Sequence, residues 1–315
     1  MKPIIERIKS STFLTDGGLE TDLIFNKNID LPHFASFPLL DNPRSTKILR
    51  NYYVEYLEIA LKRKTAFLLD SPTWRANIDW GFKLGYTPED LYTLNLKAIQ
   101  MLQNLKDSYE NNISDIIISG QIGPRGDGYQ QGVAMSIEEA QEYHSFQVKA
   151  FKEAGADMVS ALTMTYIEEA IGITLSAKSY KLPVVISFTV ETDGRLPSGM
   201  TLEKAIMEID NITEGFPSYY MINCAHPQHF IDSIDEKEKW VLRIMGIRSN
   251  ASCKSHAELD EATELDSGNK RELAQWHLNL INKIPELKVI GGCCGTDASH
   301  IDFICSHIKS EELTL

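Results

Sequence analysis

Long apolar runs are missing from this 315-residue sequence, and none approaches the roughly 18 residues that a membrane-spanning helix needs. Basic residues are scarce as well, 31 Lys and Arg against 44 Asp and Glu, for a net charge of −13. That balance argues against nucleic acid or an anionic membrane as partner, because both require a positive footprint. The first residues, Met-Lys-Pro-Ile-Ile-Glu-Arg, hold no uninterrupted apolar segment of the kind a signal peptide carries. Cysteine is sparse, odd in number at five, and in no disulfide-scaffold pattern, so a reducing cytoplasm is the expected compartment. Low-complexity tracts and linkers are absent too, and residues 1–315 read as one domain.

What is present is a regular alternation. An apolar content of 43% supplies a large core. Short, nearly continuous apolar runs are expected as strands at Thr12–Thr15, Ala66–Asp70, Asp115–Ser119, Asp157–Leu162, Val184–Thr189, Tyr219–Asn223, Val241–Gly246 and Lys288–Ile290. Runs of that kind suit parallel strands buried on both faces. Helices announce themselves between them. Thr87-Pro88-Glu89-Asp90 sets an N-cap hydroxyl before a first-turn proline, and Ser136-Ile-Glu-Glu139 has capping-box form. Thr201 and Asp297 are further candidate caps. Eight strand–helix repeats predict an α/β fold, a single (β/α)8 TIM barrel, with a doubly wound open sheet as the competitor. Long connections at 26–44, 120–135 and 250–270 fall after strands, on the face where barrel enzymes gather their loops, and the first and third suggest lids. The acidic residues of the last, Glu258, Asp260, Glu261, Glu264 and Asp266, read as a solvated surface.

Three of the cysteines stand where strands should stop. Cys224 follows Ile222-Asn223, and the adjacent Cys293 and Cys294 sit in Gly291-Gly-Cys-Cys-Gly-Thr296. In a barrel those ends lie two strands apart on one rim, near enough to share a metal. Three thiolates leave a Zn2+ ion one open position, the mark of a catalytic rather than a structural site. The alternative is three small buried hydrophobes, a common fate of cysteine. Cys305 shares a helical face with Ile301, Ile304 and Ile308 and is expected in the core, while Cys253 lies in a polar loop. His226 and His229 are expected as helix-start residues, and the Arg125-Gly-Asp127 tripeptide as loop.

Asp16-Gly17-Gly18, Asn223-Cys224 and Gly291-Gly-Cys-Cys-Gly-Thr296, with Glu153-Ala-Gly-Ala-Asp157 and 183–189 in the same order, resemble the homocysteine S-methyltransferase family over nearly the whole chain. The resemblance implies a (β/α)8 barrel with zinc on Cys224, Cys293 and Cys294, and methyl transfer from a small onium donor (S-methylmethionine, S-adenosylmethionine or betaine) to homocysteine, giving methionine. It implies Asp16 in the amino-acid site as the catalytic-face acid, the Gly17 and Gly18 N–H groups toward a carboxylate, Asn223 and Asn250 among the substrate contacts, small-molecule partners, and a homodimer. Only 21 residues follow Cys294 in the given sequence, which suits a free donor better than the folate- and cobalamin-binding modules of methionine synthase. No Gly-x-Gly-x-x-Gly turn follows the first strand, against a Rossmann-type adenosylmethionine site.

Two features depart from the family pattern. Relatives commonly carry a glutamate at the end of strand four, where this chain reads Ser160-Ala-Leu-Thr-Met164, and a proline before the loop asparagine, where this chain has Ser249. The first keeps open a different thiol or selenol acceptor, or a non-catalytic zinc- or thiol-binding barrel. After strand two, the Trp74 face could hold an onium by cation–π attraction or serve as packing bulk. Arg75 could meet a donor carboxylate, with a surface salt bridge as the plainer expectation.

Overall fold

The computed structural model describes residues 2–129 and 132–312 of the chain. Gln130 and Gln131, within the second of the long connections, lie outside the described residues. Eight strands pair in chain order: β1 (Phe13–Leu14), β2 (Ala66–Asp70), β3 (Ile116–Ile122), β4 (Met158–Met164), β5 (Val184–Phe188), β6 (Tyr219–Asn223), β7 (Ile244–Ser249) and β8 (Val289–Gly292). Each runs parallel to the next. β8 closes on β1 with Phe13 opposite Val289 and Leu14 opposite Ile290, so the sheet is a closed barrel and the open-sheet alternative is excluded.

Strand residues alternate between two apolar layers, as a period of two requires. Phe13, Leu68, Ile117, Met158, Tyr219 and Val289 point into the barrel and pack together. Phe67, Leu69, Ile116, Ile118, Ile186 and Ile222 belong to the outer cluster that joins the barrel to its helices. Ile4 and Ile8 of the N-terminal helix Ile4–Ser10 join the inner layer, and Arg7 of that helix bonds Asp115 and the Ile116 carbonyl at the start of β3. That helix therefore closes the end of the barrel where the strands begin.

The caps form where the sequence expects them. Thr87 and Asp90 make a reciprocal capping box for helix Pro88–Tyr109, and Ser136 and Glu139 do so for Ile137–Ala154. Thr201 Oγ1 accepts from Lys204 N, and Asp297 Oδ1 from His300 N. Cys305 is buried among Ile301, Ile304 and Ile308, and Cys253 is exposed. His226 caps the short turn Pro227–His229.

The seventh strand departs from expectation. Val241 and Leu242, expected to begin it, lie in a 3-10 turn, Lys239–Arg243, and the strand runs on to Ser249. The shift moves Arg248 from a loop into the barrel wall. Among the described residues no helix is long and apolar enough to cross a membrane.

Candidate active site

At the rim where the strands end, β6 and β8 bring three sulfurs together. The Sγ atoms of Cys224, Cys293 and Cys294 all lie within 4.8 Å of one another, with 3.9 Å between Cys224 and Cys294. A tetrahedral ion with Zn–S bonds of about 2.3 Å would hold its sulfurs about 3.8 Å apart, so the trio fits a metal of that size. Cys224 is buried, while Cys293 and Cys294 are partly open to a cavity of about 330 Å³ that the three residues help to line.

The backbone around the thiols is pinned from several strands. Cys224 N–H donates to the Arg248 carbonyl, Cys293 N–H to that of Ser249, and Ala251 N–H to that of Cys294. Thr296 Oγ1 donates to the Cys293 carbonyl at 2.7 Å. A side chain at Gly292 would meet that Thr296 hydroxyl at 2.0 Å, so glycine there lets the cysteine turn fold back on itself. Cys224 has φ 55°, a left-handed conformation that non-glycine residues avoid. Its carbonyl takes bonds from Asn250 Nδ2 at 3.0 Å and His256 Nε2 at 2.8 Å, which fix the turn.

The sequence-predicted residues divide between lining the cavity and supporting it. Asp16, Gly17, Gly18, Trp74 and Asn223 reach the cavity wall; Asn250 does not, and serves the Cys224 carbonyl instead. Gly18 N–H donates to the Thr296 carbonyl, which leaves it engaged within the chain. Asn223 is also committed. Its Oδ1 accepts from Thr163 N–H at 2.8 Å and Ser187 Oγ at 2.6 Å, and its Nδ2 donates to Thr163 Oγ1 at 2.8 Å. Thr163, a β-branched residue at φ 64°, is held in its unfavourable conformation by that pair of bonds.

Asp16 belongs to a buried ion cluster. Arg248 reaches Asp16 Oδ1 and Asp70 Oδ2, each at 2.6 Å, and also the Gly17 and Gly292 carbonyls. Tyr52 OH donates to Asp16 Oδ2 at 3.0 Å. Burial pushes the Asp16 carboxyl up to about 6, against the pull of Arg248. Burial also works against the Arg248 charge, but Asp16 and Asp70 more than offset it and raise the guanidinium above its ordinary value. Glu20, on the same wall, is raised by burial to about 7 although Ser36 Oγ donates to it at 2.8 Å.

A model of the family described as "Homocysteine S-methyltransferase" matches residues 13–308. The chain belongs to that family. It is a methyltransferase. Homocysteine S-methyltransferase 1 of Arabidopsis thaliana is 22% identical over 94% of this chain and 93% of its own. Selenocysteine Se-methyltransferase of Brassica oleracea var. italica is 21% identical over 94% and 89%. Among solved structures, the homocysteine methyltransferase MmuM from Escherichia coli in its metallated form shares the fold, with a TM-score of 0.72 at 18% identity over 96% of this chain and 98% of that one.

Several residues of this family member's site escaped the sequence reading. Asp70 ends an apolar run, a placement that could have marked it, whereas Arg248 after such a run reads as the start of a loop. Tyr52 lies on the buried face of helix Pro43–Arg63, four residues before Tyr56, with no polar signal in its spacing. Tyr129 stacks on His256 with ring centres 4.2 Å apart and sets its OH 3.4 Å from Cys294 Sγ. On β4, Leu162 and Thr163 line the cavity, and neither is a carboxylate.

Proposed function

We propose that this protein is a zinc-dependent methyltransferase that takes a methyl group from a small onium donor and gives it to the sulfur of homocysteine, forming methionine. The observation that carries the proposal is the convergence of Cys224, Cys293 and Cys294 at tetrahedral spacing beside a substrate-sized cavity. The metallated E. coli structure supports a metal in such a site, and three thiolates at this spacing favour zinc. When bound there, zinc supplies a position at which a thiol ionises near neutral pH.

The chain's own residues do the rest. Asp16 and Glu20, acids on the wall beside Cys293, offer oxygen acceptors to an ammonium group. They take the place of the carboxylate that β4 lacks. The ring stack of Tyr129 on His256 sets the Tyr129 hydroxyl beside Cys294 and walls one side of the sulfurs. Phe25 and Phe34 from the connection after β1, with Leu259 and Leu265 from that after β7, add apolar wall. Their work is positional: an acceptor lone pair must meet the methyl carbon in line while the bond to the onium centre breaks. The bonding pair stays with the donor, which leaves neutral. Residues 1–315 act in this reading as one catalytic domain.

A second reading is methyl transfer to another thiol or to a selenol. The apolar Leu162 on β4 favours it, and one relative is a selenocysteine Se-methyltransferase. The deciding experiment offers zinc-replete protein homocysteine with S-methylmethionine, S-adenosylmethionine or betaine in turn, beside a Cys294→Ala control. Methionine from one donor, lost with its zinc in the variant, is the expected result. No methionine with any donor, despite one bound zinc, would remove homocysteine as acceptor for those donors.

A further inference from the structure

Two arginines line the cavity, and their situations differ. Arg248 is saturated by Asp16, Asp70 and two backbone carbonyls. Arg75, one residue beyond Trp74 in the connection after β2, has its guanidinium carbon 3.8 Å from the centre of the Trp80 ring and 4.7 Å from that of Trp74. Its Nε and Nη1 are shut off from solvent and, among the described residues, have no hydrogen-bond partner. The surface salt bridge expected from the sequence does not form.

A charged head in that position is costly. Two aromatic faces return part of its lost hydration through cation–π attraction, and no anion returns the rest. Burial accordingly lowers the Arg75 pKa, against the fields of Asp127, Glu20 and Asp260. Those acids stand at the same cavity without touching the head, and Glu264 and Asp266 extend the acidic wall. A simple anion would be repelled by that wall, whereas a simple cation would leave Arg75 unpaired. Nor could an onium stack on the Trp74 face that Arg75 covers. The ligand that answers both demands is dipolar, with an onium centre facing the acids and a carboxylate on Arg75.

We infer that Arg75 is the receptor for the carboxylate of the methyl donor. The inference rests on the reading of this cavity as a methyl-transfer site. Arg75 is assigned to the donor rather than the acceptor because its guanidinium packs on Trp74 and Trp80 in the connection after β2, whereas Arg248 and Asp16 are tied to the backbone of the cysteine turn through the Gly292 carbonyl. A planar guanidinium fork matches a carboxylate in two parallel bonds, which an ammonium cannot reproduce.

The test is binding rather than turnover. Calorimetric titration of the full-length protein would use S-methylmethionine, S-adenosylmethionine and betaine, each beside its carboxamide, which keeps the onium centre and removes the negative charge. For at least one pair the acid should bind about tenfold or more tightly than the amide. Arg75→Met should bring that ratio near one, Arg75→Lys should restore part of it, and zinc content and homocysteine affinity should hold in both. Equal binding of acid and amide in the parent protein, a ratio that survives in Arg75→Met, a loss confined to homocysteine, or no binding of any acid would each overturn the assignment. A preference for the acid that depends on Arg75, without methionine formation, would sustain it while removing homocysteine as the acceptor.

Discussion

Glu20 accepts a hydrogen bond from Ser36, yet its carboxyl is raised to about 7, because the cavity wall strips water from the charged form faster than one hydroxyl replaces it. In the unfolded chain the same group titrates near its ordinary 4.5. Between those two values the folded protein holds a proton that the unfolded chain has released. Stability from this group is therefore full below about 4.5 and is lost as pH rises through about 7. Glu20→Gln keeps an oxygen for Ser36 and removes the titration. Its unfolding free energy relative to the parent protein, measured by chemical denaturation, should climb between about pH 5 and about pH 8, by on the order of 2 kcal/mol at the alkaline end. A difference that stays flat across that range would show that Glu20 is ionised throughout. At the same scale, the cysteines were legible in the sequence because a thiol pair between glycines at a strand end has few structural uses. Arg248 was not, because an arginine after an apolar run reads as the start of a loop until its two buried carboxylate partners are known.

The ends of β4, β5 and β6 act together through Asn223. One side-chain amide holds Thr163 N–H, Thr163 Oγ1 and Ser187 Oγ, and so keeps Thr163 in its left-handed conformation from the residue that precedes the left-handed Cys224. Asn223→Ala leaves a buried N–H and a buried hydroxyl without their acceptor and frees Thr163 to relax. Each unsatisfied group costs about 1–3 kcal/mol, so chemical denaturation should show a loss of about 2–4 kcal/mol. Zinc affinity should fall as well, since the Cys224 turn loses its neighbour's support. A variant with unchanged stability and unchanged zinc affinity would mean that the left-handed turns hold themselves. Strand positions were readable from apolar runs, and β2 and β6 have the predicted bounds. What the runs did not show is where strands stop. β3 continues through Gln121 and β8 through Gly291 and Gly292, polar or small residues that ladder pairing carries past the apolar stretch, while β4 passes Thr163 in an irregular step before pairing again at Met164. The opposite error, on β7, came from apolar residues in a 3-10 turn packed against the barrel.

Across the whole molecule, barrel closure turns residues 70 positions apart in sequence into neighbours 3.9 Å apart in space. The Arg248 cluster ties the rims of β1, β2 and β7 in the same way, and the two neighbouring sulfurs, helped by its one cation between Asp16 and Asp70, hold the Cys293 thiol low. Those ties place a fixed, mostly acidic chamber over the sulfurs, in keeping with the net charge of −13 and with cationic ligands rather than anionic ones. Such a chamber has a use only if the trio holds a metal with room for one more sulfur. X-ray absorption at the zinc edge, on full-length protein before and after homocysteine is added, measures that directly. One zinc with three sulfur neighbours at about 2.3 Å, rising to four when homocysteine binds, is the predicted result. No bound zinc, or a sulfur count that stays at three with homocysteine present, would contradict it.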